Sequence, residues 1–463
     1  MSAKRKRTAR TGGVPARTSS GSAGKTRPTA PAGAAFPALL EPVSRPAIET
    51  VLVIGAAVAF QALAWAILIR FLRSEAPWHY RFFDSSDIET TYFPYARKVA
   101  AGLRVYKDFS FEYPPLALPL LTLPPHGGDL LSYQHWFRAE MILITSAAAA
   151  LTGAAAASLW RGLQRPLAAA AAFAVAVLAA GAITANRYDA AVALSLAACL
   201  FFLARRHTTA AGAALGVGVA LKLTPGILLP LVLIVAETRQ RVLYALAAWL
   251  VFTAVPFLPF LGRFSGLTYV ITYNTRRPLQ IESVPATLYL IAGARHAWGV
   301  GVGYSSGSWS ISGPGSVVVA RLSVWIGLLL VAGVYALVWR RRSLLRAAPQ
   351  SIPVVALACV LAFTVCNKVL SPQYMCWLLP IVALVVVGNG RWQRVTGVLT
   401  FVAIALTQVE FPKLLGPFLA LEPQPVYVVV ARNLVLVAAA IAAVVTVWKL
   451  PERADADAAS SSA

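Results

Sequence analysis

Long apolar runs, separated by short turns that carry arginine, constrain this sequence more than any other feature. The run from Val51 to Ile69 has 19 residues and no charged side chain, and about 20 apolar residues suffice for a helix to cross a bilayer. Hydrophobic residues make up 58% of the 463 residues and charged residues only 13%, whereas soluble domains carry about 25% charged residues. The chain is therefore predicted to be an all-α, polytopic membrane protein.

Arginine-bearing turns predict twelve spans and their orientation. Cytoplasmic loops of membrane proteins are enriched in Lys and Arg, and alternating spans place the arginine-rich turns of this chain on that side. The pattern requires a break at Lys222–Pro225, because a single helix over 209–236 would reverse every later loop. The predicted spans are 51–69, 137–160, 166–183, 189–204, 209–221, 226–236, 241–261, 319–339, 351–367, 373–388, 395–409 and 427–449.

Two tails and two long loops complete the predicted organisation. Residues 1–46 hold nine Lys and Arg residues and one acid among small and polar residues, a composition typical of disordered segments. They are predicted as a basic cytoplasmic tail, and residues 451–463 as a second disordered cytoplasmic tail. Residues 47–450 form the predicted transmembrane domain, with extracytoplasmic loops at 72–136 and 262–318.

The outer loops are where chemistry is expected, because 12 of the 18 acids fall on or near that face. The first loop contains Tyr113–Pro125, which is apolar but has five prolines in 13 residues. Such a segment favours a re-entrant or interface-lying structure over a span. The second loop contains the Gly- and Ser-rich stretch 299–315, which is predicted to be mobile.

Charge and cysteine placement narrow the partners. The net charge of +23 lies in short clusters at the ends of apolar runs, a pattern that sets membrane orientation rather than affinity for nucleic acid. The four cysteines lie in apolar stretches without a C-x-x-C pair, so neither a disulfide framework nor a zinc site is supported. The membrane is a predicted partner, and nucleic acid and metal are not.

The most informative stretch follows the first span. It contains Asp84, Asp87 and Glu89, then several tyrosines, then Glu112–Pro115. A carboxylate held beside aromatic rings at a membrane surface can act as a general base on a sugar hydroxyl, with burial raising its pKa toward the working range. The alternative interpretation is a solvated acidic loop, since most acidic side chains in loops are exposed.

The order and spacing of several short motifs resemble the polyprenol-phosphate-mannose-dependent mannosyltransferases, called glycosyltransferase family 87. An Asp shortly after the first span is followed by a Tyr, a Gly-x-x-x-Tyr segment and Tyr-Pro-Pro. The resemblance implies the GT-C fold, with about 12 transmembrane helices and a large first extracytoplasmic loop. The segments that carry it are Asp87–Tyr92, Gly102–Tyr106, Tyr113–Pro115, Asn186–Asp189, Gly212, Lys222–Pro225, Arg277–Ser283 and Ser371–Pro380.

The resemblance implies a hexosyltransferase active on the extracytoplasmic face of the cell membrane. It would transfer a sugar, here mannose, from a polyprenyl-phosphate donor to a lipid-linked or cell-envelope glycan, with inversion and without a soluble cofactor. Asp87 is the implied general base because it opens the Asp-Ile-x-x-x-Tyr run, and Asp84 is the alternative base three residues earlier. The two carboxylates alone would make an incomplete cation site.

Positive charge is expected where the departing lipid phosphate gathers negative charge. Lys222 is the first candidate, because an ionisable residue inside an apolar segment is costly and tends to be functional. The alternative is a lysine that snorkels to the outer interface. Arg277, Arg276 and Lys368 are further candidates for the donor phosphate, or they contact lipid headgroups.

The remaining candidates are polar and aromatic side chains that suit contact with a sugar or a prenyl chain. Arg187 has an alternative role, since it and Asp189 flank one turn and are predicted as readily to pair with each other. The aromatic candidates also fit an interfacial belt without any function. The candidate substrate contacts are Tyr92, Tyr113, Asn186, Arg187, Gln280, Glu282, Tyr374 and Trp377, with Ser283 beside them.

A secondary transporter is the alternative function, with its substrate site at the broken helix around Lys222. Transporters with such sites usually show two related halves interrupted at corresponding positions. Only one interruption is visible in this sequence, and no internal repeat accompanies it. A non-catalytic scaffold is the third possibility, and it predicts no special role for Asp87.

Overall fold

The fold is taken from a computed structural model of the chain, which describes residues 47–73, 87–125 and 127–450. Both predicted tails and the alternative base Asp84 lie outside the described residues. Within those ranges helices form nearly all of the regular structure. The prediction of an all-α, multi-pass membrane protein is confirmed by these helices. Helices suit a bilayer because each one pairs its backbone polar groups within itself.

The α-helices are numbered in chain order, and short 3-10 or π-helical segments join several of them. The α-helices are α1 (Ala47–Arg73), α2 (Phe93–Ala100), α3 (Ala117–Thr122), α4 (Leu130–Leu159), α5 (Gln164–Ala180), α6 (Ile183–Asn186), α7 (Asp189–Ala204), α8 (Thr208–Leu221), α9 (Leu229–Val235), α10 (Arg239–Ala254), α11 (Phe264–Arg276), α12 (Thr287–Ala294), α13 (Ser316–Arg340), α14 (Arg342–Ala347), α15 (Ile352–Cys366), α16 (Met375–Val386), α17 (Arg391–Gln408), α18 (Leu415–Leu419) and α19 (Pro423–Trp448). The π-helical segments are Ile88–Tyr92 and Val409–Lys413, and the 3-10 segments are Thr224–Leu228, Val255–Arg263, Val284–Ala286, Pro349–Ser351 and Pro372–Tyr374.

Local sequence signals set where several helices begin and end. Asp129 precedes α4, and its side chain accepts a hydrogen bond from the Ser132 amide at 2.7 Å, which pairs one of the free donors at the helix start. Thr238 caps α10 in the same way and accepts from the Arg241 amide at 3.2 Å. Gly181 ends α5 with a φ of 64°, a positive value that glycine adopts without steric cost.

Seven helices of the described chain are long and apolar enough to cross a membrane. They correspond to seven of the predicted spans, and the other five predicted spans coincide with shorter apolar helices. The count of twelve spans therefore stays a prediction. The seven are Ala47–Arg70, Leu130–Leu159, Arg239–Arg263, Ser316–Arg340, Pro349–Cys366, Arg391–Lys413 and Pro423–Trp448, and the shorter helices at the predicted spans are Gln164–Ala180, Asp189–Ala204, Thr208–Leu221, Thr224–Val235 and Pro372–Val386.

The helical core is built on α15 and α16, whose side chains are almost all buried. Alanine and glycine let neighbouring helices approach closely, as is common inside membranes. A Cβ added at Gly212 in α8 would lie 2.3 Å from the Ala245 carbonyl oxygen of α10, and one at Gly216 would lie 2.6 Å from that of Trp249. The backbones of α8 and α10 are therefore in direct contact, and larger residues at these glycines would separate them.

The predicted break after α8 is present. This helix ends at Leu221, Lys222 has extended backbone angles, and the chain continues as a 3-10 segment before α9. Pro225 at the start of the 3-10 segment lacks the amide proton that a continuous helix would need. The break leaves the Lys222 side chain at a helix end, where it can turn toward neighbouring elements.

The described parts of the two predicted outer loops are structured, and each has its own apolar cluster. In the first loop, a tyrosine- and phenylalanine-rich cluster joins the segment 88–122 to α4 and to the turn before α7. In the second, Leu279, Ile281 and Ile311 pack with residues of α12, α18 and α19. These clusters hold the loop residues against the ends of the long helices.

The stretch 299–315, predicted to be mobile, forms a β-hairpin instead. β1 (Gly301–Ser305) pairs in antiparallel register with β2 (Ser308–Ser312). Its turn has positive φ at Ser306 and Gly307, the geometry of tight hairpin turns. The Gly and Ser content that suggested mobility supplies this turn, while Ile311 anchors the hairpin in the apolar cluster of the second loop.

Candidate active site

Four separate elements bring charged and aromatic side chains together near the predicted base. They are the π-helical segment after Asp87, the turn between α6 and α7, the break after α8, and the start of α16. Each is a helix end or a turn, where side chains are free to leave the packing pattern of a long helix. The sequence positions involved are far apart, so the grouping depends on the tertiary fold.

Lys222 is held by an ion pair inside an aromatic box. Its Nζ lies 2.7 Å from Oδ1 of Asp189, a fully buried carboxylate, and that oxygen also accepts from Trp377 Nε1 at 2.7 Å. The ammonium lies 5.3 Å from the ring centroid of Tyr188 and 5.2 Å from those of Tyr374 and Trp377, within the range of cation–π attraction. The snorkelling alternative for Lys222 is therefore wrong, because its charge is satisfied inside the protein.

Asp87 pairs with Arg187 across the same region. Arg187 Nε lies 2.9 Å from Asp87 Oδ2, and the exposed fractions of the side chains are 4% for Arg187 and 30% for Asp87. The predicted alternative, a pair between Arg187 and Asp189, does not form, because these neighbours at one turn face different partners. The guanidinium also lies 5.8 Å from the Phe411 ring centroid, so Arg187 is fixed while Asp87 keeps an open side.

Three tyrosine rings pack against one another beside these ion pairs. The ring centroids of Tyr92, Tyr113 and Tyr188 lie 5.1–6.3 Å apart in edge-to-face pairs. Burial, more than the charge of nearby carboxylates, raises the pKa of Tyr92 and of Tyr113 well above the usual value. Both predicted substrate contacts are therefore neutral rings, and they suit packing against an apolar or C–H-rich surface.

Glu112 is a second acid at this site that the candidate residues did not include. It accepts a hydrogen bond from the Tyr95 hydroxyl. Burial raises the pKa of Glu112, and the nearby charge of Asp87 adds to the shift. Its place directly before Tyr-Pro-Pro was the available sequence signal, but the burial that distinguishes it from other loop acids is a tertiary property.

The Asn186 side chain accepts a hydrogen bond from a neighbouring cation. Its Oδ1 accepts from Arg138 Nε of α4 at 2.9 Å, and its backbone oxygen accepts from Arg187 Nη1 at 3.3 Å. The structure therefore places Asn186 as a link between α4 and the Arg187 turn. Its predicted contact with substrate stays a prediction.

Gln280 and Glu282 lie in a second cluster of buried polar side chains, the closed cluster, which also contains Arg432 and Glu410. Both are buried, and Gln280 Nε2 donates to Glu282 Oε2 at 2.9 Å. Arg432 of α19 donates through Nη2 to the Glu282 backbone oxygen at 2.7 Å, and Glu410 is a fully buried neighbour. Ser283 is also buried, and its backbone oxygen accepts from Asn433 at 3.3 Å.

Arg432 and Glu410 were missed by the sequence analysis. Arg432 stands inside a predicted span, where an ionisable side chain is rare and tends to be functional or paired. That signal was available for Arg432, as it was for Lys222. Glu410 lies at the end of another predicted span, and nothing in the sequence indicated that it would be buried.

The other predicted phosphate contacts gather at the end of α11. Arg277 lies 5.6 Å from the Tyr273 ring centroid, and Lys368 donates to the Thr275 backbone oxygen at 2.7 Å. Burial, and then the charge of Arg277, lowers the pKa of Lys368, so these two cations are close neighbours. Arg276 is exposed beside them. The structure thus brings together Arg276, Arg277 and Lys368 in a second cationic group at the end of α11.

A model of a known protein family matches the central part of the chain. The model of glycosyltransferase family 87 matches residues 111–320. This range includes Tyr113, the Arg187 turn, Lys222 and the second outer loop, whereas Asp87 and Trp377 lie outside it. The match confirms the resemblance seen in the motifs, and it sets aside the transporter and scaffold alternatives.

A solved structure is also similar. It is ArnT from Cupriavidus metallidurans bound to undecaprenyl phosphate, with 17% identity, a TM-score of 0.44, and coverage of 84% of this chain and 76% of that chain. Comparison with curated proteins gives no match. With the family match over residues 111–320 and its apolar helices, this chain is a multi-pass membrane glycosyltransferase that is similar to family 87.

Proposed function

We propose that the protein transfers mannose from a polyprenyl-phosphate donor to a hydroxyl of a lipid-linked or cell-envelope glycan, with inversion at the anomeric carbon. The observation that carries this proposal is the half-open Asp87 carboxylate, 30% exposed and 2.9 Å from the buried Arg187 guanidinium. The family resemblance supports the donor class and the sugar. The positive charge of the turns between helices supports a site on the extracytoplasmic face.

Asp87 is the proposed general base. The neighbouring Arg187 charge favours the ionised carboxylate, which is the form that accepts a proton. As the acceptor hydroxyl gives its proton to Asp87, its oxygen bonds to the anomeric carbon from the face opposite the phosphate. The bond from that carbon to the phosphate oxygen breaks, and the polyprenyl phosphate leaves with the electron pair.

Lys222 is the proposed contact for the leaving phosphate. An ammonium group has three hydrogen-bond donors, and Asp189 accepts one of them at 2.7 Å. The aromatic box fixes the position of the cation, so little rearrangement is needed when charge develops on the phosphate. The cationic group of Arg276, Arg277 and Lys368 is a second proposed contact for the same lipid phosphate.

The decisive experiment compares Asp87→Asn with Asp108→Asn. Asp108 is a matched control, because it lies in the same loop, pairs with Arg104 at 3.1 Å and has a side chain 27% exposed, close to the 30% of Asp87. We expect Asp87→Asn to lower transfer by roughly 10²–10⁴-fold, the usual loss when a general base is removed, and Asp108→Asn to retain activity. The assay uses membranes, labelled polyprenyl-phosphate mannose and mass detection of glycosylated lipids.

The alternative base is tested in the same series. Asp84→Asn is expected to cost much less than Asp87→Asn, because the amide there would only border the site. Loss of transfer in Asp84→Asn with activity kept in Asp87→Asn would move the base to Asp84. Full activity in both variants would overturn the proposed mechanism, and absence of transfer by the unaltered protein would overturn the proposed function.

A further inference from the structure

The β-hairpin of the second outer loop carries two exposed aromatic rings on one face. Tyr304 and Trp309 are cross-strand partners, and their ring centroids lie 5.2 Å apart in an edge-to-face pair. The exposed fractions are 62% for Tyr304 and 36% for Trp309. Side chains alternate between the faces of a strand, so these rings continue the face that is buried at Ile311.

The hairpin is anchored, so this pair of rings has a defined position. Ile311 donates its amide to the Leu279 backbone oxygen at 2.9 Å, and Ile281 donates to the Trp309 backbone oxygen at 3.1 Å. At the turn, the Tyr273 hydroxyl of α11 donates to the Ser306 backbone oxygen. Both ends of the hairpin are therefore hydrogen-bonded to other parts of the same loop.

Tyr304 is under the electrostatic influence of charged groups of the candidate active site. The Tyr304 hydroxyl lies within electrostatic range of the carboxylates of Asp87 and Glu112 and of the Arg277 guanidinium. Its surroundings thus combine an apolar face, two acids and one cation. Acids and hydroxyl groups bind sugar hydroxyls, and Arg277 is already the proposed contact for the donor phosphate, so an acceptor sugar on the rings would lie next to the donor.

We propose that Tyr304 and Trp309 form the subsite for the acceptor, a neutral sugar of a glycolipid, which stacks on the rings with its hydroxyls toward Asp87 and Glu112. Tyr and Trp suit this role, because each offers a large apolar face with a polar edge. The inference rests on the proposed function, because a sugar bound on the rings is the acceptor only if Asp87 deprotonates one of its hydroxyls. It also names the feature that selects the acceptor, which the family match does not.

The test measures binding and transfer separately. Binding of octyl α-mannoside to the purified, detergent-solubilised protein is followed by saturation-transfer NMR, with dodecyl phosphate as the anionic lipid probe. We expect Tyr304→Ala and Trp309→Ala each to weaken octyl α-mannoside binding about tenfold, the loss of one aromatic stacking contact. Dodecyl phosphate binding and the KM for the donor should not change.

Two further variants control for structure. Tyr304→Phe keeps the ring and is expected to bind octyl α-mannoside nearly as the unaltered protein does. Trp298→Ala removes an exposed aromatic residue of the same loop that lies 6.0 Å from the Tyr289 ring, and it should leave binding unchanged. Loss of octyl α-mannoside binding in Trp298→Ala, or in every variant alike, would indicate a structural effect and overturn the proposal.

The outcomes separate this inference from the proposed function. Weakened dodecyl phosphate binding in Tyr304→Ala and Trp309→Ala, with octyl α-mannoside unaffected, would assign the rings to a lipid headgroup and overturn the acceptor subsite. Unchanged binding of both probes would overturn it as well. Ring-dependent octyl α-mannoside binding in a protein without transferase activity would sustain the subsite while the proposed function fails.

Discussion

Two clusters of buried charge in this protein differ in how their charges are balanced. In the paired cluster, each cation has its own carboxylate, with Arg187 against Asp87 at 2.9 Å and Lys222 against Asp189 at 2.7 Å. In the closed cluster, the single cation Arg432 lies among two acids, Glu282 and Glu410, and each of the three is no more than 5% exposed.

The balance decides what each cluster can do. Two carboxyl groups beside one arginine cannot both be ionised at low cost in a buried site. Burial, and then the charge of Glu410, raises the pKa of Glu282 well above its usual range, so the folded protein favours the protonated form of this carboxyl group. The closed cluster holds the second loop to α19 through the hydrogen bonds of Arg432 and Asn433, whereas the paired cluster keeps a partly exposed carboxylate beside fixed cations.

The largest expected effect comes from breaking the paired cluster at Lys222. Lys222→Ala should lower transfer by roughly 100-fold or more, as expected when a preorganised group that stabilises developing negative charge is removed. Lys222→Arg should keep part of the activity, because the charge survives while the compact ammonium does not. The measurement is the rate of sugar transfer at fixed acceptor concentration.

A matched control uses another lysine. Lys107 is exposed in the first outer loop, and Lys107→Ala is expected to transfer normally. Ordinary kinetics in a folded Lys222→Ala protein would mean that the ion pair with Asp189 is only structural, and the contrast between the clusters would disappear.

The next effect is on stability, from breaking the closed cluster at Arg432. Arg432→Met removes the donor to the Glu282 backbone oxygen and the positive charge beside Glu282 and Glu410, which should cost roughly 3 kcal/mol of folding free energy. Thermal unfolding in detergent should show the loss, and Arg432→Lys should recover part of it. A variant that unfolds normally but no longer transfers sugar would place Arg432 in the catalytic machinery instead.

The smallest effect is expected for Glu282→Gln. At about pH 4, where Glu282 is largely protonated in the folded and the unfolded state, the neutral amide should change the folding free energy by less than about 1 kcal/mol. The raised pKa in the folded state means that the Glu282 contribution to stability is present below pH about 4.3 and is lost as the pH rises toward the folded value.

The pH dependence of thermal unfolding tests the predicted direction in which Glu282 changes the stability. As the pH rises above about 4.3, the stability of the unaltered protein should fall more steeply than that of Glu282→Gln, with thermal unfolding at several pH values as the measurement. Equal slopes for the two proteins would show that Glu282 is ionised in the folded state, and the distinction between the two clusters would then rest on exposure alone.

The sequence by itself determined the class of protein and the location of its helices. Apolar runs such as Val51–Ile69 predict helices because the bilayer allows few other structures, and the structure has a helix at each predicted span. The break at Lys222 and the family resemblance were also readable from local motifs. Seven of the predicted spans are long apolar helices and the other five are shorter apolar helices.

The tertiary structure alone decided the partners of the charged residues. Lys222 meets a carboxylate 33 positions away and Arg432 a backbone oxygen 150 positions away, whereas hydrophobic periodicity carries information only over a few turns. It also turned the Gly- and Ser-rich stretch 299–315 into a hairpin, because the fold supplied Leu279 and Ile281 as backbone partners for β2. Local composition fixes which segments can enter the membrane, and only packing fixes which charges meet there.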